Sequence, residues 1–374
     1  MVTPIGPDLD SFWSGLLAGG DALTPIERFR TDDLRVGRGG EIKKVPAVAA
    51  AVRSRAAALL VAAAADLRSR ARLDAAPERV AVVVGTALGG VEELERALAG
   101  DRTPRRALDA LYDAPAHTLA EWLGARGPAL TVSAACASGA TALGVGADLL
   151  REGAADLVVA GGYDILCRFV LRGFDVLRSL TRERVRPFDR RRSGLLLGEA
   201  AGLVLLAREP DVRGPRLGRL LGHGSASDAS HIAAPDPDGR GLEAAIKAAL
   251  TAADVDAGDL DFVSAHGTGT LLNDRIETAV LRRVLGRRAE AIPVNSIKGA
   301  LGHTMGAAAA LEAIMCLLAA RERVIPPTAG FEEPDPACDL DYVPGTPRPA
   351  RPRLMLSTSL GFGGCNAALV LEGV

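Results

Sequence analysis

Three residues in this chain stand where they could do chemistry: one cysteine and two histidines. Cys136 lies in SAACASGAT (133–141), between alanines, after an apolar run and directly before a Gly- and Ala-rich helical pattern. A thiol at a helix N-terminus faces unsatisfied backbone N–H groups and the positive end of the helix dipole, both of which favour a nucleophilic thiolate. The small neighbours Ala135, Ala137 and Gly139 leave room for a substrate, and the Cys136 N–H can help hold an oxyanion. The everyday alternative is an inert, buried small hydrophobe. The histidines shift that balance. His266 in SAHGTGT (264–270) and His303 in KGALGHTMGA (298–307) each sit among glycines at the C-terminal end of an expected strand, where open α/β sheets place their sites. His117 and His223 read as ordinary histidines.

The elements that must position these groups follow from the apolar pattern. Runs at 79–87, 129–135, 155–162, 200–207, 260–267, 291–299, 353–359 and 366–372 predict buried strands. Helical patterns lie near 47–70, 90–99, 138–152, 240–253, 274–286 and 306–321. Alternation on both sides of REPDVRGPRLG (208–218) predicts two α/β halves of similar plan, 1–213 with the cysteine and 214–374 with the histidines. MVTPIG reads as the turn after a strand, and Asp8 or Asp10 as the cap of a helix ending at Gly19 and Gly20. An opening strand ahead of Met1, and a native start several residues earlier, are therefore expected.

Composition narrows the function classes. With 374 residues, 48% of them hydrophobic, the chain can build a large core, and 3% aromatics leave few platforms for stacking bases. A net charge of -2 and a pI near 6.3 supply no general attraction to nucleic acid or anionic membranes. The five cysteines (Cys136, Cys167, Cys316, Cys338, Cys365) stand far apart without a CxxC pair, against a disulfide framework or zinc ribbon and in favour of a reducing cytoplasm. The most membrane-like stretch, MGAAAALEAIMCLLAA (305–320), holds Glu312 and is too short to span, so it reads as a buried helix.

Taken together, SAACASG, RPFDRRRSGLLLGEAAG (186–202), SDASH (227–231), AHGTGTLLND (265–274), NSIKGALGHTMGAA (295–308) and SLGFGGCNAAL (359–369) resemble, in order and over nearly the whole chain, the β-ketoacyl-acyl carrier protein synthases of fatty acid and polyketide synthesis. The resemblance implies a thiolase-like αβαβα layered sandwich of two duplicated halves. It implies an acyltransferase that carries out decarboxylative Claisen condensation of an acyl-enzyme with malonyl-acyl carrier protein. Cys136 would be the nucleophile, and His266 and His303 would donate to the enolate oxygen left when carbon dioxide departs. Lys298 and Glu312 would orient the histidines, or form an internal ion pair with no catalytic duty. The N–H groups of Cys136 and Phe362 would make a second oxyanion hole, with Phe362 also gating the acyl pocket, and Thr268 and Thr270 would bind the phosphopantetheine arm. His231 and Asp228 would make a structural contact near the entrance. No metal or tightly bound cofactor is implied, the arm being supplied by the carrier protein; the chain would work as a homodimer or as a heterodimer with a homologous ketosynthase or chain-length factor.

Departures from the family pattern bear on the pocket. Leu360, Gly361, Phe362, Gly363, Gly364 and Cys365 stand where Phe-Gly-Phe-Gly-Gly-Thr is common, and Gly194-Leu195 where Gly-Phe is frequent. Smaller walls and shorter loops point to a specialised polyketide or polyene pathway that favours unsaturated or aryl primers. The segment TRERVRPFDRRR (181–192) holds six arginines, either a carrier-docking patch or a solvated loop bridged to Glu183 and Asp189. Two other readings share the fold: a chain-length-factor-like partner subunit, which usually lacks the nucleophile, and a thiolase acting on coenzyme A thioesters, for which Cys365 is the second cysteine. A cysteine hydrolase is more distant, since its local signatures are missing.

Overall fold

Residues 1–101, 103–212 and 214–374 are described by the computed structural model of the chain. Four of the apolar runs pair into one mixed sheet: β1 (Val80–Gly85), β2 (Ala129–Val132), β3 (Leu157–Asp164) and β4 (Ala200–Ala207), in the spatial order β2-β1-β3-β4. β1 runs parallel to both neighbours, and β4 is antiparallel to β3. A second sheet holds β5 (Gly218–Ser227), β6 (Phe262–Ser264), β7 (Val294–Asn295), β8 (Leu354–Gly361) and β9 (Cys365–Gly373), in the order β5-β9-β8-β6-β7. Here β6 is parallel to β7 and β8, while β9 is antiparallel to β8 and β5. The order β7-β6-β8-β9 thus repeats β2-β1-β3-β4 in pairing and direction, which is the expected duplication.

The helices fill three layers. The longer ones are α1 (Leu9–Leu17), α2 (Arg55–Arg70), α3 (Val91–Leu98), α4 (Ala114–Leu123), α5 (Ser138–Arg151), α6 (Arg168–Val176), α7 (Arg240–Ala253), α8 (Leu271–Leu285) and α9 (Ala308–Glu322). α5 and α9 lie between the sheets and touch both, α2 and α4 cover the outer face of the first sheet, and α7 and α8 cover that of the second. α9 is buried on all sides, the only setting in which a helix without a polar face is stable in water. Its alanines and the glycines of α5 let two sheets close on one thin helical layer. No helix among the described residues is long and apolar enough to cross a membrane.

Several boundaries differ from the sequence reading, for local reasons. The pattern at 47–70 is broken: 47–49 is a short 3-10 turn and α2 starts at Arg55, where the Ser54 side chain caps the Ala57 N–H. The strand expected over 260–267 stops at Ser264, which leaves His266 in the turn beyond, and α9 is preceded by a 3-10 turn at Met305–Ala307. β5 was not expected, because GRLLGHGSAS carries three glycines and a histidine instead of a β-branched run. It forms nonetheless, since it pairs with the whole length of β9. α1 is capped by Asp8, one of the two candidates.

The halves differ at one edge. β5 covers the outer edge of β9, whereas the matching edge of β4 is met, among the described residues, only by Val2, which exchanges two backbone hydrogen bonds with Ala201 (2.9 and 3.0 Å). An apolar groove of about 770 Å³, lined among others by Leu203, Leu205, Leu220 and Leu317, runs beside it. The Met1 ammonium is buried at the groove and paired with Asp66 at 2.8 Å.

Candidate active site

The end of β2 turns into α5 over Ser133–Ala137, and Ala135 takes a left-handed conformation (φ +49°) to make the turn. Such a conformation costs a non-glycine residue free energy and needs local fixing. Ser138 supplies it: its Oγ donates to Thr86 O (3.1 Å) and accepts from the Ala134 N–H (2.9 Å). Cys136 is thereby held one residue outside the helix, 6% exposed. Burial pushes its thiol up to about 12, against the pull of the Lys298 charge and of the Phe362 N–H, which faces the sulfur. Desolvation thus works against the pull toward thiolate that a helix N-terminus exerts.

His266 sits in the turn between β6 and α8. Its own N–H and that of Gly267 donate to the two oxygens of Glu277 (2.7 and 2.8 Å), and Thr358 Oγ1 donates to the same carboxylate (2.7 Å). Asp274, one helical turn earlier on α8, accepts from the N–H groups of Phe188, Thr268 and Gly269. Gly267 has φ +37°, and a Cβ there would meet the Phe188 ring at 2.6 Å, so this turn requires glycine. His303 lies in the turn after the short helix Lys298–Leu301. Its backbone zips onto the strand-like segment before β4, with His303 N–H donating to Leu196 O (2.7 Å) and Gly198 N–H to His303 O (3.0 Å). Its Nδ1 accepts from the Met305 N–H (3.3 Å), which leaves the ring proton on Nε2.

The two imidazoles meet edge to face, centroids 5.2 Å apart. Burial first, then the Lys298 charge, hold both well below the usual histidine range, so both are neutral. Lys298 Nζ donates to His266 O (2.5 Å) and to Glu312, with lysine and glutamate both buried; burial raises the Glu312 carboxyl and Lys298 opposes it.

One cavity of about 370 Å³ is lined by Cys136, His266 and His303 together with Phe362, Leu195, Thr268 and Thr270. The structure thus brings together every residue singled out for direct contact with substrate, with Lys298 and Glu312 directly behind. The Thr268 and Thr270 hydroxyls are 3.0 Å apart. Phe362 stacks on Phe174 of α6 (centroids 5.3 Å, 29°), and the Gly363 N–H ties this turn to Ile232 O (2.8 Å). His231 and Asp228 both line the entrance but have separate partners: Asp228 accepts from Asn366 Nδ2 (2.8 Å) and the Asp236 N–H (3.0 Å), and His231 Nδ1 from the N–H groups of Ala233 and Ala234.

The arginine segment is corrected too. Glu332 takes Arg184, Arg186 and Arg191, Glu333 takes Arg191, and Asp335 takes Arg192; Asp189 lies 3.7 Å from Arg191, while Glu183 forms no ion pair among the described residues. Sequence reasoning missed Glu277, Asp274 as an anchor, Phe174 and Asp164. The spacing of Asp274 and Glu277, three apart in the first half of α8, was the available signal for two acids on one helix face.

The family description "Beta-ketoacyl synthase, N-terminal domain" matches residues 1–212, and its C-terminal domain matches 217–332. The chain is 38% identical over 400 residues (98% of this chain, 94% of the relative) to the tetracenomycin polyketide synthase ketoacyl synthase alpha subunit of Streptomyces glaucescens. It is 34% identical over 397 residues (99% and 95%) to 3-oxoacyl-[acyl-carrier-protein] synthase 2 of Synechocystis sp.. Among solved structures, the ishigamide ketosynthase/chain length factor superposes with a TM-score of 0.90 at 35% identity, over 100% of this chain and 97% of that one. A type II polyketide ketosynthase in complex with its acyl-carrier protein (AntDE:AntF) gives 0.92 at 27%, with the same coverage. With the thiol, the paired neutral imidazoles and the thiolase-like sandwich on one chain, this protein belongs to the β-ketoacyl synthase family of condensing acyltransferases.

Proposed function

We propose that Cys136 carries the acyl group and that His266 and His303 drive decarboxylation in a carbon–carbon bond-forming cycle fed by an acyl carrier protein. The observation that carries this is the shared cavity, in which a buried thiol and two neutral imidazoles face one space. In the first half-reaction the Cys136 sulfur attacks the acyl thioester carbonyl, the thiol proton passes to His266, and the carrier thiol leaves with that proton. His266 suits this role because its Nδ1 has no partner among the described residues, whereas His303 is fixed as an Nε2 donor. The N–H groups of Cys136 and Phe362 stabilise the tetrahedral oxyanion. In the second, a malonyl thioester loses carbon dioxide, and the electron pair of the broken bond becomes an enolate whose oxygen accepts from the imidazoles. The enolate carbon then attacks the Cys136 thioester, and the sulfur departs as a thiolate that takes up one proton from solvent, the proton consumed when a malonyl carboxylate is lost as carbon dioxide. In the decarboxylation step the neutral imidazoles serve as donors without adding a charge to a buried site.

Thr268 and Thr270 would bind the phosphopantetheine arm, so the chain needs no cofactor of its own. The carrier would land on the rim, where Leu177, Leu271 and Ile232 are exposed and Arg178 has no carboxylate partner among the described residues. The arginine segment contributes less, because four of its six cations are already paired. A division after residue 213 would separate the nucleophile half from the histidine half. The open edge of β2, with Leu130, Leu108 and Leu111 exposed, fits a homologous second chain, as in the ketosynthase/chain length factor assembly. The small Leu195 and Leu360 walls support a specialised polyketide or polyene product, and five unpaired cysteines support a cytoplasmic setting.

The test is mass spectrometry of protein and carrier after incubation with acyl- and malonyl-carrier. A stoichiometric adduct on Cys136 and a β-ketoacyl carrier product are expected, both lost in Cys136→Ala. An intact protein that never acylates would instead mark a partner subunit, and acylation without carbon dioxide release would mark a thiolase.

A further inference from the structure

Asp164 closes β3 and is 1% exposed. Its carboxylate accepts from Thr86 Oγ1 (2.6 Å) and from the N–H groups of Ala87 (2.9 Å), Leu88 (3.1 Å) and Gly306 (2.6 Å). The first three belong to the turn after β1, in the half that carries Cys136. The fourth belongs to the other half, three residues past His303.

We propose that Asp164 is a positioning residue for the condensation, a clamp between the halves that sets the His303 ring against the Cys136 turn. The proposal rests on the decarboxylating role of His303 given above.

Three observations carry it. Thr86 Oγ1 already accepts from the Leu88 and Gly89 N–H groups (3.1 and 2.9 Å), so its own proton goes to Asp164. All four partners are then donors, and only a carboxylate can satisfy them; an amide would turn an NH₂ toward an N–H. Gly306 is in backbone contact on several sides. A Cβ on it would come within 2.6 Å of Thr86 Cα, and its carbonyl oxygen is what a Cβ on Gly139 of α5 or Gly162 of β3 would strike, at 2.7 and 2.1 Å. A shift of Gly306 therefore passes straight to the helix that starts beside Cys136. Finally, the amide next to Gly306 is the Met305 N–H that holds His303 Nδ1, on a residue at φ +51°. The chain of contacts runs from Asp164 through Gly306 and Met305 to the tautomer and direction of the imidazole.

The half-reactions separate positioning from mere folding. In Asp164→Asn, carbon dioxide release from a malonyl thioester is expected to fall at least about tenfold, because misplacing a reacting group costs rate steeply, while Cys136 acylation by a small acyl thioester changes less than about twofold. Thr86→Val should reproduce part of the loss and Thr86→Ser should restore it, which keeps the test open if Asp164→Asn folds poorly. Unchanged carbon dioxide release in Asp164→Asn, or a loss of both half-reactions in proportion to a lowered melting temperature, overturns the clamp. His303→Ala is the control: if it too releases carbon dioxide normally, the role of His303 is what has failed.

Discussion

β1 and β6 hold the same place in their sheets, and the turns that follow them have diverged in use. The turn after β6 carries His266; the turn after β1 carries Thr86 and stays out of the cavity. Both are fixed by the same device, a buried carboxylate that accepts two consecutive backbone N–H groups and one threonine hydroxyl. In the second half it is Glu277, with His266, Gly267 and Thr358; in the first it is Asp164, with Ala87, Leu88 and Thr86. The acids come from different places, a helix in one case and a strand end in the other, so the shared feature is a physical requirement and not a copied residue. A turn at a strand end exposes N–H groups that burial would leave unpaired, and a carboxylate meets two of them at once. What separates the halves is the surplus: the second adds a buried cation and two imidazoles, the first a single sulfur.

The cation is the largest difference to probe. Lys298 and Glu312 are both buried, and Glu312 Oε2 already lacks a partner among the described residues. Lys298→Met should cost about 3–5 kcal/mol of stability in urea unfolding, because it strands a buried carboxylate, and Lys298→Met with Glu312→Leu should recover most of that. Single variants within about 1 kcal/mol of the parent would show that the pair is not a structural support of the second half.

The imidazoles come next. His266→Ala and His303→Ala should each slow carbon dioxide release by about 10²–10³-fold, roughly the effect of removing one preorganised oxyanion donor. Thr86→Ser, in the corresponding turn after β1, should leave it within about twofold. Equal losses at the two positions would erase the proposed division between a chemical and a structural turn.

Acidity tests the shared device in both halves at once. Burial raises Glu277 from 4.5 to about 7 and Asp164 from 3.8 to about 6, against the pull of their donors. A carboxyl raised on folding binds its proton more tightly in the native state. Its contribution to stability is therefore complete below its ordinary value and is lost as pH rises through the folded one. Between pH 8 and 5.5 these two groups add stability as they lose the charge that holds the turns. Carboxylates held low, Asp189 by backbone N–H groups against its burial and Asp335 by the Ala337 N–H and then Arg192, give up their contribution only below their ordinary value of 3.8. Turnover at pH 5.5 should fall by more than about tenfold from its value at pH 8, with no fall in melting temperature. Activity and melting temperature declining together would contradict it.

How far the sequence foretold this follows the same division. Cys136, His266 and His303 stood out as candidates at strand ends, the histidines in glycine-rich turns, and the two-half α/β plan showed in the alternation of apolar runs and helical patterns; the resemblance to the synthases supplied their roles and the layered fold. Glu277 and Asp164 were not, since what makes them matter is the set of amides that surrounds them after folding, and single acids near helix starts and strand ends are common. β5 was hidden for a related reason: its strand character comes from pairing with β9 and not from its own residues. The protonation of Cys136 also had to wait, because a helix N-terminus is visible in a pattern and burial is not.

The smallest expected effect concerns the place where the halves touch across the cavity mouth. Phe174, on α6 of the first half, stacks on Phe362, in the turn between β8 and β9 of the second. Such a pair contributes about 0.5–1.5 kcal/mol beyond the area it buries, enough to bias the Phe362 turn without locking it. The turn depends on glycine, Gly363 and Gly364 taking φ +79° and +78°, and it is tethered to the 228–235 loop by the Gly363–Ile232 hydrogen bond and by those of Asp228 to Gly364 and Asn366. Phe174→Ala should therefore leave acylation by short chains nearly unchanged and raise the relative kcat/KM for bulky, unsaturated or aryl primers by about three- to tenfold, the factor that the loss of that stacking energy allows. Phe174→Tyr keeps the stack and should keep the parent preference. A uniform drop across all primers would mean that the aromatic pair supports the fold of the rim and has no part in choosing what enters.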